Sequence, residues 1–192
     1  MHISRYQMYE SLSEYAPLAH GQALSISRSD VLCRILGYPP GSTLTTEYPA
    51  YDIRHLDLAA DTFDCTAADQ VLEHVAGNPA QAIAEMFRVT RPGGLVVATT
   101  CCVNAIHHGG DYDDYEDYWR FTPAGLRLLA QPHGDILEAA GWGNPLVCLW
   151  VAFRRHQVPP NPHHPIHRIA TSNWPAWPLT VWVVARKSKE TK

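Results

Sequence analysis

The sequence predicts an α/β protein, with a mostly parallel sheet, helices on its faces and an antiparallel edge at the C-terminal end. Three observations carry this. Short apolar β runs alternate with helical patterns between Gln22 and Ala98. "GLVVATTCC", Gly94 to Cys102, is continuously apolar, as a strand buried on both faces of a parallel sheet must be. Two strong apolar runs, "NPLVCLWVAF" and "WPLTVWVVARK", then close the chain, and the long Pro- and His-rich connection between them suits an antiparallel pair.

Each element has its own signal. Ile3, Tyr6, Met8, Leu12, Tyr15 and Leu18 recur at loosely helical spacing, which predicts an N-terminal helix within residues 1–20. "QALSIS" is a first strand, and "RSDVLCRILG" a short helix closed by Gly37. "TLTTEYP", "YDIRHL" and "FDCTAAD" are predicted as strands two, three and four. Pro79 opens a helix with Ala82, Ile83, Met86 and Phe87 on its inner face, and "RPGG" ends it before strand five, "GLVVATTCC". Thr122 and Pro123 supply an N-cap and a first helical residue. "GDILEAAGWGN" reads as a helix end and turn, "NPLVCLWVAF" as a strand, and 154–177 as a loop before the last strand. Pro165 stands inside "HHPIH", which argues for a surface loop there rather than a helical histidine pair.

Composition excludes several function classes. The 192 residues fit one domain, and 46% hydrophobic content suits a globular core. The formal charge is −4, and the lysines gather in the tail "ARKSKETK", so no basic stripe supports nucleic-acid binding. No apolar run reaches the roughly 18 residues of a membrane span, and the polar, acid-bearing first twenty residues do not read as a signal peptide. A cytoplasmic location is expected. The five cysteines include no CxxC pair, so neither a disulfide framework nor a zinc knuckle is expected. Cys101 and Cys102 are adjacent on a strand and point to opposite faces, which also argues against zinc shared with His107 and His108. The absence of G-x-S-x-G counts against an α/β-hydrolase.

Ligands of open parallel sheets bind at the carboxyl ends of the strands. The polar residues at those exits are Ser27, Ser29 and Asp30 after strand one, Glu47 after strand two, Asp52 in strand three, and Asp69 and Gln70 after strand four. An acid at the end of strand two is the usual device for holding ribose hydroxyls.

The block "YDIRHLDLAADTFDCTAADQVLEHVAGNPAQAIAEMFRVTRPGGLVVATT" resembles the central part of class I S-adenosylmethionine-dependent methyltransferases, of the methyltransferase type 11 kind. The matching pieces are the acid in "YD", the "FD" opening strand four, "VLEHV", the helix ending in "FRV", and "RPGG". The resemblance implies a Rossmann-like, seven-stranded sheet, a lid helix over 1–20 and an acceptor-side insertion over 103–122. It implies S-adenosylmethionine as cofactor, with methyl transfer to an O or N atom of a small-molecule or sugar-like acceptor in a biosynthetic tailoring pathway. A homodimer is compatible with it. Glu47 would hold the ribose, Asp52 and Ile53 would frame the adenine, and Ser27, Ser29 and Asp30 would line the methionine end. Asp69 and Gln70 would stand across the cleft. The family's acid and Gly-rich loop are degenerate here: Ser25 replaces the acid, and Ser27 and Ser29 replace two glycines. A non-catalytic, methyltransferase-like partner protein is the alternative reading.

The catalytic candidates are His107, which follows strand five on the acceptor side and can take a proton from the attacking group, and His74. Tyr118, Trp119 and Arg120 are the further substrate-side candidates. Arg120 suits an acceptor carboxylate or phosphate, or else neutralises the surrounding acids. Related O-methyltransferases hold a divalent ion with Glu-x-x-Glu-His. Here Gln70 stands at the first position, so no metal is expected, and Glu73 and His74 read equally as the polar first turn of a helix.

Overall fold

The computed structural model describes residues 2–106, 116–153, 163 and 165–189. Six strands form one sheet: β1 (Ala23–Ile26), β2 (Thr43–Thr45), β3 (Phe63–Asp69), β4 (Thr90–Cys101), β5 (Gly134–Trp142) and β6 (Thr180–Lys187), in the order β2-β1-β3-β4-β6-β5. The first four are mutually parallel, while β6 runs antiparallel to both β4 and β5. The helices are α1 (Ile3–Ser13), α2 (Asp30–Ile35), α3 (Pro79–Val89), α4 (Pro123–Ala130), α5 (Pro145–Ala152) and α6 (Pro165–Thr171).

Alternation along the strands builds two cores. Leu24, Val96, Ala98, Val181 and Val183 face α3 and α4, where Ile83, Met86, Phe87 and Leu126 meet them. Ala23, Cys65, Val97, Trp182 and Val184 point the other way, against Ile3, Met8 and Leu12 of α1 and Leu32 of α2. Each such aliphatic side chain contributes about 1.5–3 kcal/mol by leaving water, so a sheet apolar on both faces requires helices on both.

Three helices begin with the same device. Asn78, Thr122 and Asn144 accept from the backbone N–H groups of Ala80, Gly125 and Val147 at 2.9, 3.1 and 2.8 Å, and a proline follows each cap.

The C-terminal third departs from expectation. "GDILEAAGWGN" is not a helix end; its residues Gly134–Trp142 form edge strand β5. Small residues are required there: Ala140 lies opposite Trp182, and a Cβ on Gly134 would stand 2.2 Å from the Arg186 carbonyl oxygen. "NPLVCLWVAF" is helix α5 rather than a strand. A continuous apolar run does not distinguish the two by periodicity, and the Asn144–Pro145 cap decides. The segment 154–177 carries helix α6, which opens at Pro165, so "HHPIH" leads into a helix and the ring of His167 stands edge-on to Tyr6 at 5.6 Å.

The expected third strand is also absent among the described residues, leaving six strands rather than seven. "YDIRHL" makes a single bridge, Asp52 to His55. Its backbone bonds are local, Tyr51 N–H to the Glu47 carbonyl at 3.0 Å and His55 N–H to the Asp52 carbonyl at 2.9 Å, or reach side chains of α3, rather than a neighbouring strand. Leu56 N–H donates to Glu85 at 3.0 Å, while the Arg88 guanidinium donates to the carbonyls of Leu56 and Leu58 at 2.8 and 2.9 Å. Among the described residues, no helix is long and apolar enough to cross a membrane.

Candidate functional site

The chain leaves β1 toward β2 on one side and returns to β3 on the other, so the sheet's switch point lies between β1 and β3. Both strand exits there are strained. Ser27 and Arg28 follow β1 with φ of 49° and 61°, and Gln70 follows β3 with φ of 57°. Non-glycine residues avoid the left-handed region at a cost of about 1–3 kcal/mol each. The surroundings enforce it. Arg28 N–H donates to the Thr46 carbonyl at 3.1 Å, Ser29 N–H to the Ile26 carbonyl at 3.2 Å, and Gln70 N–H to the Thr99 carbonyl at 3.0 Å.

All three strained residues line one cleft of about 740 Å³. Its rim carries two ion pairs. Arg28 meets Glu47 at 2.9 Å. Arg54 meets Asp52 at 2.5 Å and donates its other guanidinium nitrogen to the Ala76 carbonyl, across the cleft. The Arg54 hydrogen bond holds the Asp52 carboxyl below the usual carboxylate range. Tyr48, Tyr51, Ile53 and Val75 supply apolar wall. His74 and Tyr118 close the far end. His74 Nδ1 lies 2.8 Å from the Glu116 carbonyl, an acceptor only, so neutral His74 carries its proton on Nδ1 and its lone pair on Nε2.

The cleft therefore gathers Ser27, Glu47, Asp52, Ile53, Gln70, His74 and Tyr118. Other expected site residues are engaged elsewhere. Ser25 is fully buried in β1. The Ser29 hydroxyl donates to the Ile26 carbonyl at 2.5 Å and accepts from Asp69 N–H at 2.7 Å. Asp30 accepts from the Thr45 hydroxyl. The Asp69 carboxylate accepts from Tyr9 at 2.5 Å and Thr99 at 2.6 Å, and pairs with Arg5 at 3.3 Å. Gln70, although on the cleft, directs its amide to the hydroxyls of Thr99 and Thr180 at 3.2 and 3.3 Å.

The substrate-side candidates divide. The Trp119 indole donates to the Val75 carbonyl at 2.8 Å, bracing the cleft wall from behind. Arg120 pairs with Asp117, whose side chain is fully buried, and donates to the Asn104 and Ala105 carbonyls at 3.4 and 3.0 Å. That is the acid-neutralising alternative. His107 lies outside the described residues. Glu73 is fully buried and accepts from the Thr100 hydroxyl at 2.7 Å.

Sequence reasoning missed Arg28, Tyr48, Tyr51 and Arg54 as cleft residues. Arg28 was legible, since it stands between the two loop serines. The tyrosines were not, because "EYPAY" reads as strand and stop until the missing third strand leaves that segment free to fold over the cleft.

The family of the methyltransferase domain matches residues 15–98. A 37.1 kDa protein of a transposon from Streptomyces fradiae is 54% identical over 46 residues, which is 24% of this chain and 13% of that protein's length. Among solved structures, the [4+2]-cyclase SpnF superposes with a TM-score of 0.57 at 15% identity, covering 96% of this chain and 81% of that one. Phosphoethanolamine N-methyltransferase 2 of Haemonchus contortus, in complex with S-adenosyl-L-methionine, gives 0.59 at 12% identity, covering 95% of this chain and 53% of that one.

Proposed function

We propose that the chain is a class I S-adenosylmethionine-dependent methyltransferase, that its cleft holds the cofactor's adenosine half, and that a small-molecule acceptor is methylated there on oxygen or nitrogen. The observation that carries this is the convergence of strained Ser27, Arg28 and Gln70 with Glu47 on one cleft at the switch point. Strain of this kind is retained where surrounding structure enforces a functional geometry.

The residues present fit the adenosine end. Glu47 is a half-exposed carboxylate at the exit of β2, able to accept ribose hydroxyls, and Tyr48, Ile53 and Val75 offer apolar contact to a flat base. The methionine end fits differently from the expectation. Ser29 and Asp69 direct their oxygens to protein partners, so that end rests on the turns at Ser27 and Gln70. Bound there, S-adenosylmethionine supplies an electrophilic methyl that an acceptor lone pair takes as the carbon–sulfur bond breaks.

The chain supplies alignment, a drier site and a place for the proton. Helix α1, within the proposed lid of residues 1–20, bonds to the β3 exit through Tyr9 and Arg5. The insertion 103–122 carries Tyr118 onto the cleft. His74, on the cleft wall, is the residue that would accept the proton lost by a hydroxyl or amine.

The non-catalytic reading draws support from the same inward-turned Asp69 and Ser29. Calorimetry separates the two. Micromolar binding of S-adenosylmethionine and S-adenosylhomocysteine supports the enzyme, and no heat up to millimolar concentration overturns it. An untargeted search for methylated products among small molecules then identifies the acceptor.

A further inference from the structure

Arg28 stands in the turn between Ser27 and Ser29, with its guanidinium 2.9 Å from the Glu47 carboxylate. Resting on the reading of Glu47 as the ribose acceptor, we propose that Arg28 is a positioning residue that fixes the Glu47 carboxylate for the ribose hydroxyls and so offsets the loss of a glycine loop.

The backbone brings the two residues together. β1 and β2 pair in parallel with Ser25 opposite Thr45. Thr46 N–H donates to the Ser25 carbonyl at 2.8 Å, and Arg28 N–H returns to the Thr46 carbonyl at 3.1 Å. Glu47 is therefore anchored at the main chain, and its carbonyl also accepts from Tyr51 N–H at 3.0 Å. Its side chain is a different matter, because the carboxylate is 56% exposed. Left alone, an exposed glutamate samples many rotamers, and a ligand must then order it. Arg28 removes that freedom in advance. One guanidinium nitrogen occupies Oε2, and a carboxylate has lone pairs on both oxygens for further donors.

The pair does little for the fold. Its ends are 70% and 56% exposed, where an ion pair contributes at most about 1 kcal/mol, little beside the stability of the whole fold. Nor is an arginine needed for the turn itself. Its φ of 61° is adopted with less strain by glycine or asparagine. Arg28→Ala keeps the Cβ and hence the same backbone strain, so the variant isolates the guanidinium.

The test is a double-mutant cycle read by calorimetry with S-adenosylhomocysteine. Arg28→Ala should bind roughly 3- to 10-fold more weakly than wild type, the range expected when one rotamer-rich side chain must be ordered by the ligand. Arg28→Lys should fall between them. In a Glu47→Ala background, Arg28→Ala should change affinity less than 2-fold, because there is no carboxylate left to position. Melting temperatures of all variants should match wild type. Raising salt from about 0.05 to 0.5 M should weaken wild type toward the Arg28→Ala value, since an exposed pair is screened. Unchanged or tighter binding by Arg28→Ala overturns the proposal, as does an equal loss in the Glu47→Ala background. Should Arg28→Ala misfold, the lysine variant and the salt titration decide alone. Wild type without any binding overturns the cofactor reading and this inference with it, whereas normal wild-type binding with a flat cycle removes only the inference.

Discussion

The Tyr9 hydroxyl donates to an Asp69 carboxylate oxygen at 2.5 Å, bonding the first helix to the exit of central strand β3. Arg5 pairs with the same oxygen at 3.3 Å, one turn earlier on the helix. A carboxylate expected to face a ligand is thus one anchor of α1, with Met8 and Leu12 packed beneath.

Removing that anchor should be felt in stability. Tyr9→Phe deletes the donor and keeps the ring, so it should cost about 1–2 kcal/mol in urea denaturation at neutral pH. A variant as stable as wild type would show that the bond contributes nothing net.

Alkaline pH should destabilise the protein progressively from the ordinary tyrosine and cysteine values upward. Burial, reinforced by Asp69, pushes the Tyr9 hydroxyl well above its usual 10.0. Burial also pushes Tyr15, beside Glu138, to about 12, and the Cys33 thiol from 9.0 to about 12. A folded value above the unfolded one means that the neutral form stabilises the fold. That contribution is complete below pH 9 to 10 and is lost as pH rises toward 12. Denaturation midpoints between pH 8 and 11.5 should decline above about 9.5, and less steeply in Tyr9→Phe. A flat profile contradicts this.

Glu47→Ala should weaken S-adenosylhomocysteine by about 1–3 kcal/mol, roughly 5- to 150-fold, because a charged acceptor of ribose hydrogen bonds is removed. Equal affinity in wild type and variant, read by calorimetry, would place the ribose elsewhere.

Chelation should leave turnover within a few-fold. Glu73 directs its carboxylate to the Thr100 hydroxyl, and its carbonyl accepts the Tyr118 and Trp119 amides at 2.8 and 3.1 Å, so it braces the insertion. Complete loss with EDTA, restored only by Mg²⁺ or Zn²⁺, would establish a metal role.

Arg120→Ala should act on stability before catalysis. It withdraws the cation that neutralises buried Asp117 and releases the carbonyls of Asn104 and Ala105. The expected cost is about 2–4 kcal/mol, visible as a lower melting temperature. An unchanged melting temperature with a raised acceptor KM would instead make Arg120 a substrate contact.

The sequence alone determined the parallel half of the sheet. In "ALSI", "FDCTAAD" and "GLVVATTCC" every residue type apart from Asp64 and Asp69 suits burial on one face or the other, and the helix opened by Pro79 has one apolar stripe. Local pattern suffices when burial is unambiguous. The switch point, and with it Glu47 and Gln70 at the cleft, followed from strand order, which the resemblance to a known family supplied.

Tertiary structure alone decided the rest, for a consistent physical reason. "NPLVCLWVAF" is apolar throughout, so its Asn144 cap and its contact with α6 decide that it is α5. "GDILEAAGWGN" has the small residues of a helix end, and became β5 by pairing antiparallel with β6, where Ala140 lies opposite Trp182. "YDIRHL" has strand composition, but its backbone bonds close local turns or go to the side chains of Glu85 and Arg88, about thirty residues later. Asp69 and Arg120 have site chemistry, and Tyr9 and Asp117 claimed it first. A residue's type states what bonds it can make; which partner reaches it is set by contacts between segments far apart in the chain.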